Sequence, residues 1–315
     1  MACSVSITKQ GEENIILLQD NISGCTAEIY SFGALLNTFA VPVDHKPVNV
    51  IDGFISMQDA VANVSKGFKS TKLSPFVCRL KNGEYTFNSV AHKIKKFYMG
   101  SAAIHGLLFD QSFKVKEHGA DEHAAYVVLL YTYNKTDEGF PFGFEMEVTY
   151  KLHEENRLLL STKVTNKAGT AIPISDGWHP YFTFGVKVDE LLVQFNSRRM
   201  VVFDNGLLPT GDLVPYTTFA RTKRFGNTAL DNCFELAATN EVSCTIRNPF
   251  NGLQLSITPA ASYPYLQIFT PNDRRSIAIE NLSSVPDAFN NGIGLIVLPP
   301  GNATTFETTY QLAIV

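Results

Sequence analysis

A period of two in the side-chain pattern constrains this chain more than any other feature. In GFEMEVTYKLH (143–153), Phe144, Met146, Val148, Tyr150 and Leu152 fall on one face. Glu145, Glu147, Thr149, Lys151 and His153 fall on the other. Successive side chains of an extended strand point to opposite faces, so the run describes a strand that is dry on one side and wet on the other. HAAYVVLLYTYN (123–134) and RLLLSTKVTN (157–166) read the same way, being rich in β-branched and aromatic residues. The polar segment EENR joins the runs at 143–153 and 157–166, which predicts an antiparallel meander. The C-terminal third repeats the theme in SCTIRN, LQLSITP, YLQIFTP, SIAIEN, GLIVLPPG and TTFETTYQLAIV, punctuated by Gly, Pro and Asn. Asn82-Gly83 in RLKNGEYTFN predicts a tight hairpin, since both turn residues must accept positive φ.

Helix signals are few. SMQDAVANVS (56–65) offers Ser56 as an N-cap, with Asp59 a loose fit to the reciprocal acidic position, and predicts one or two short helical turns. No Pro/Ser-rich linker, charge block or fixed-period repeat interrupts the chain, so residues 1–315 are expected to form a single domain. Antiparallel strands in such number must stack as sheets or close into a barrel. The expected class is all-β, a large antiparallel β-sandwich with few short helices.

Composition narrows the partners. A formal charge of −4 and a pI near 6.0 give no basic surface for nucleic acid or an anionic membrane. No stretch approaches the about 20 apolar residues of a membrane span, and no signal peptide is expected from MACSVSITKQGEEN. The five cysteines are scattered without a CxxC pair. That argues against a disulfide framework or structural zinc and for free thiols in a reducing compartment, hence a cytoplasmic location.

Of the seven histidines, His105 in SAAIHGLLFD and His179 in SDGWHPYF lie in apolar or aromatic sequence. For either alone, a neutral core histidine satisfied by a carbonyl is the plainer reading. Glu280 ends the apolar run SIAIE, where an unpaired buried carboxylate would be costly, so it either reaches water or meets donors. Asp231 reads most simply as a loop-closing Asx residue, Arg79 as a solvated strand residue, and Gln267 as an amide needing partners among aromatics. Alternation sends Trp178 and His179 to opposite faces and returns Tyr181 to the face of His179. Pro180 marks a break in pairing between them. Taken together, one glutamate, two histidines, an aspartate, an arginine and a glutamine among aromatics suit a sugar site. Sugars present hydroxyls to polar groups and apolar ring faces to aromatic ones. A glutamate and a histidine flanking a sugar supply a base and an acid.

The order of these motifs resembles that of the aldose 1-epimerase (galactose mutarotase-like) family nearly end to end. Arg79 before Asn82-Gly83, His105-Gly106, His179 in GWHPYF, Asp231 in LDNCF, Gln267 in LQIFTPN, and Glu280 in AIENLSSVPDAFN each resemble a family segment. The resemblance implies a β-supersandwich and cofactor-free interconversion of sugar anomers. Glu280 would take the C1 hydroxyl proton, His179 would protonate the ring oxygen, and His105 would share charge stabilisation near it. Arg79, Asp231, Gln267 and Tyr181 would hold the sugar. It also implies a small-molecule sugar as partner, no metal, and a monomer or homodimer. One departure stands out: the family's best-known members have an asparagine where this chain has Cys78, which removes an expected polar contact. Alternatives are a hexose-6-phosphate 1-epimerase, with Arg198, Arg199, Arg274 and Arg275 as candidate phosphate ligands, and a non-catalytic carbohydrate-binding protein. Further rivals are a glycoside hydrolase using Asp231 and Glu280, and a metal site of His105, His179 and Asp231 that lacks ligand spacing.

Overall fold

The computed structural model describes residues 2–315. The alternating runs are strands, and each buries the expected face. Burial alternates residue by residue along Phe144–His153. That strand pairs with Ala124–Tyr133 on one side and Arg157–Asn166 on the other, with His153 opposite Arg157. The turn between them places Glu155 and Asn156 at positive φ. These three strands belong to a nine-stranded sheet that continues through Ala303–Ile314, Leu253–Pro259 and Cys244–Arg247. An eight-stranded sheet runs from Pro209–Pro215 through Ser197–Phe203, Asp231–Leu236, Tyr265–Phe269, Ile277–Leu282 and Gly177–His179 to Thr71–Leu73. Tyr181–Phe182 pairs beside it with Ile277–Leu282. Residues 3–49 add a five-stranded meander.

The two large sheets pack face to face, as the contacts between them show. Trp178 meets Tyr150 with ring centroids 5.9 Å apart, and Phe182 meets Tyr310 at 5.5 Å. Thr308 Oγ1 donates to Asn281 Oδ1 at 2.9 Å. Since adjacent strand residues point oppositely, Trp178, Phe182 and Asn281 turn inward to the second sheet. His179, Tyr181 and Glu280 turn to the other face of the eight-stranded sheet. The architecture is thus an all-β antiparallel sandwich, and its strand parity selects which residues reach the outer face.

Two helices, Met57–Asn63 and Ala288–Asn291, are short. Ser56 caps the first, accepting from Asp59 N at 3.2 Å, and the Asp59 carboxylate accepts from Ile55 N at 3.1 Å. The hairpin expected at Asn82-Gly83 is displaced. Both residues have positive φ, but they form a single 3₁₀ turn. Arg79–Leu80 pairs instead with Ala102–Ile104, and the hairpin joins Glu84–Phe87 to Val90–Lys93 through Asn88-Ser89, also at positive φ. The backbone preference was right, and tertiary pairing moved the hairpin to the next such dipeptide. All five cysteines are free and buried. No helix among the described residues is long and apolar enough to cross a membrane.

Candidate active site

Glu280, His179, His105, Arg79, Asp231, Gln267 and Tyr181 all line one cavity of about 240 Å³ on the outer face of the eight-stranded sheet. Register brings several of them together. Gln267 lies opposite Glu280, and Asp231 starts the next strand over. Gln267 Nε2 donates to Asp231 Oδ1 at 2.9 Å, so Asp231 is a strand residue facing the cavity and not a loop-closing turn. The sharp end of the cavity is the Glu280–His179 pair, Oε1 to Nε2 3.4 Å, with both side chains buried. Tyr181 stacks on His179 at 5.0 Å and 28°. His105 meets the same imidazole edge-on at 4.9 Å, and Phe68 packs on His105 at 4.5 Å.

His105 sits in left-handed backbone, φ 62, directly before Gly106 at φ 76. A Cβ on Gly106 would lie 2.2 Å from the Ser74 carbonyl oxygen, so only glycine fits. His105 N donates to Cys78 O at 2.8 Å, and Cys78 is itself at φ 48. Non-glycine residues held at positive φ cost energy, and here the strain buys the placement of two cavity side chains.

Burial sets the protonation of the pair. It pulls His179 down to about 4 and His105 well below the ordinary imidazole value. It pushes Glu280 well above the ordinary carboxylate range, with the nearby Asp231 carboxylate adding to the effect. Asp231 is raised by burial as well, with Arg79 opposing. Burial thus drives both groups toward their uncharged forms. Cys78 Sγ lies 4.0 Å from Glu280 Oε2, and its thiol is pushed up by burial and stays protonated.

Three polar atoms of the site are buried with no protein partner: Nδ1 of His105, Nδ1 of His179 and Oε1 of Gln267. Buried polar groups normally find partners, so these three atoms are the under-satisfied groups of the site. Apolar walls come from residues that sequence reading missed, chiefly Phe68, Met99, Phe203, Leu207 and Phe269. Phe269 shares the parity of Gln267 and was legible in principle. Phe68, Met99 and Leu207 come from segments with no alternation signal. Arg79 reaches Met99 Sδ at 3.8 Å. The other arginines singled out lie elsewhere: Arg199 pairs with Glu235 and Arg274 with Asp189, and neither arginine pair lines the cavity. Among the described residues no group of three or more His, Cys, Asp or Glu side chains is placed to hold a metal ion.

A β-sandwich with a cavity on the outer face of its eight-stranded sheet is a galactose mutarotase-like fold. An aldose epimerase homologue from C. elegans shares it at a TM-score of 0.85, covering 99% of this chain and 100% of that one at 20% identity. Sequence then fixes the family. The aldose 1-epimerase family model matches residues 14–311, and the chain belongs to that family. Among curated relatives, YihR of Escherichia coli K12, described as uncharacterized, is 28% identical over 241 residues, 73% of this chain and 74% of YihR. The maltose epimerase of Levilactobacillus brevis is 25% identical over 236 residues, 66% of this chain and 67% of that enzyme.

Proposed function

We propose that the protein is an aldose 1-epimerase that interconverts the α and β anomers of a free hexose. The observation that carries this reading is the buried Glu280–His179 pair, 3.4 Å apart, inside a hexose-sized cavity. Mutarotation needs a proton taken from the C1 hydroxyl and one given to the ring oxygen. With Glu280 as carboxylate and His179 protonated, the C1–O5 bond opens to the aldehyde, which rotates about C1–C2 and recloses with either configuration. The pair then holds the same proton count, so each turnover leaves the site ready for the next. His105 stands against His179 and stabilises charge developing near the ring oxygen. Arg79, Asp231 and Gln267 hold hydroxyls, and Tyr181 supports the His179 ring and borders the sugar.

The inverse assignment has the same proton count, with His179 taking the C1 proton and Glu280 giving one to the ring oxygen. The directions of the burial shifts favour it. The ¹⁵N shifts of His179 in the sugar complex separate the two: a protonated ring supports Glu280 as base. A free hexose is favoured over a phosphorylated one because, among the described residues, Arg79 is the only arginine or lysine lining the cavity. An acid–base pair argues against a binding protein without turnover, which has no use for one. We also take residues 1–315 as one domain, in line with a core cluster that runs from Cys3 to Leu312, and a cytoplasmic location, in line with five free buried thiols. The test is anomer exchange of α-glucose and α-galactose by NMR, with wild type and Glu280→Gln. Acceleration by wild type and its loss in the variant supports the reading. No acceleration of these sugars or of glucose 6-phosphate by folded protein refutes it.

A further inference from the structure

Behind the catalytic face, between the two large sheets, lies a charged pair that the proposed chemistry does not use. The side chains of Lys72 and Asp176 are fully buried and ion-paired. Lys72 has three ammonium donors and three partners on consecutive residues. One is the Asp176 carboxylate, one is Gly177 O at 3.0 Å, and one is the face of Trp178 at 4.1 Å from the ring centroid. The next residue is His179. Lys72 lies directly opposite Trp178 in the strand register, and Ser70 N donates to His179 O at 2.9 Å.

Asp176 extends the connection to the strand of Glu280. Asp176 N donates to Ser283 Oγ at 2.8 Å, and Ser283 N donates back to Asp176 O at 2.9 Å. Tyr263 OH donates to the same carboxylate at 2.6 Å. Catalytic histidines are commonly oriented by a hydrogen bond to the second ring nitrogen. No other residue supplies one to the buried His179 Nδ1. Its ring is held by stacking on Tyr181, by the edge of His105 and by the Glu280 carboxylate, and its backbone sets where the ring starts. A buried ion pair is seldom more stabilising than a well-packed apolar pair of similar volume. An apolar pair, however, makes no directional bonds to three consecutive residues.

We propose that Lys72 and Asp176 form a buried positioning device. It fixes the backbone that leads into His179. The effect on turnover rests on the epimerase reading; the effect on His179 geometry does not.

The experiment compares wild type with the charge-neutral double variant Lys72→Met/Asp176→Asn. It measures thermal unfolding, the His179 imidazole resonances by NMR, and kcat and KM for anomer exchange of α-glucose. Misplacement of an acid–base group lowers kcat, so a fall of at least about tenfold is expected in folded protein. KM should change by less than about threefold, because hydroxyl contacts lie elsewhere. The His179 resonances should shift or split. A folded double variant with unchanged His179 resonances and unchanged kcat overturns the proposal. Tyr263→Phe removes one donor to Asp176 and serves if the double variant does not fold. Shifted His179 resonances in it support the device, and unchanged ones overturn it. If wild type turns over no aldose, the epimerase reading fails, and the His179 resonances still decide the positioning role.

Discussion

Glu280→Gln should slow turnover by about 10² to 10⁴ and at the same time stabilise the protein at neutral and mildly alkaline pH. The substitution keeps the shape of a side chain that is 2% exposed and whose carboxylate lies 3.4 Å from His179 Nε2 and 4.0 Å from Cys78 Sγ. It removes the group that exchanges the proton. General acid–base assistance is worth about 10² to 10⁴ in rate, or about 2.7–5.5 kcal/mol of barrier, and that is the expected loss. The stability effect has the opposite sign. Burial raises the folded pKa of Glu280 above its unfolded value. Below the unfolded carboxylate range both forms are protonated, and Glu and Gln should be nearly equal. As pH rises through the folded pKa, wild type must hold a poorly solvated charge and loses stability that the amide keeps. A poorly satisfied buried polar or charged group costs on the order of 1–3 kcal/mol. For 315 residues the unfolding entropy is about 0.7 kcal/mol/K, so the midpoint should rise by about 1.5–4.5 °C near pH 8 and by nearly nothing near pH 4. The assays are NMR anomer exchange and thermal unfolding across that range. A variant that keeps its rate, or that is less stable at pH 8 than wild type, refutes the argument that Glu280 is a desolvated proton carrier.

His179→Gln should cost a comparable factor in rate. Wild-type His179 is depressed to about 4, so the stability its neutral form contributes is complete above about 6.5 and is lost as pH falls through about 4; thermal unfolding of the variant should show a weaker acid dependence there. Gly106→Ala places a methyl 2.2 Å from Ser74 O at φ 76, and should lower stability by more than about 1 kcal/mol and displace His105, measured as a fall in melting midpoint with loss of activity. Cys78→Asn puts a residue tolerant of left-handed backbone at φ 48 and an amide donor beside Glu280. The limb of its pH–rate profile set by Glu280 should move to lower pH, and a profile with neither limb lowered would show that residue 78 does not contact the carboxylate.

Much of this was legible along the chain. The alternation in 143–153 named both faces of its strand correctly because parity is a property of neighbouring residues. The same parity separated Trp178 from His179 and returned Tyr181 to the His179 side, where the two rings stack. Ser56 was readable as a cap because the capping bond closes within three residues. Asn82-Gly83 gave the right backbone sign and the wrong hairpin, since Arg79–Leu80 found a better partner in Ala102–Ile104 than in the strand that follows it.

The sequence by itself determined an antiparallel β-fold, the outward parity of His179 and Tyr181, and a set of residue types suited to sugar chemistry. Only the tertiary structure decided that these residues meet. Glu280 touches Cys78 across 202 positions, and Lys72 reaches Asp176 across 104. Such contacts depend on strand order and register summed over many pairings, which no local pattern encodes. Protonation was decided at the same level. Glutamate and histidine carry their usual acidities in any sequence, and the exclusion of water by the folded cavity drives one up and the other down.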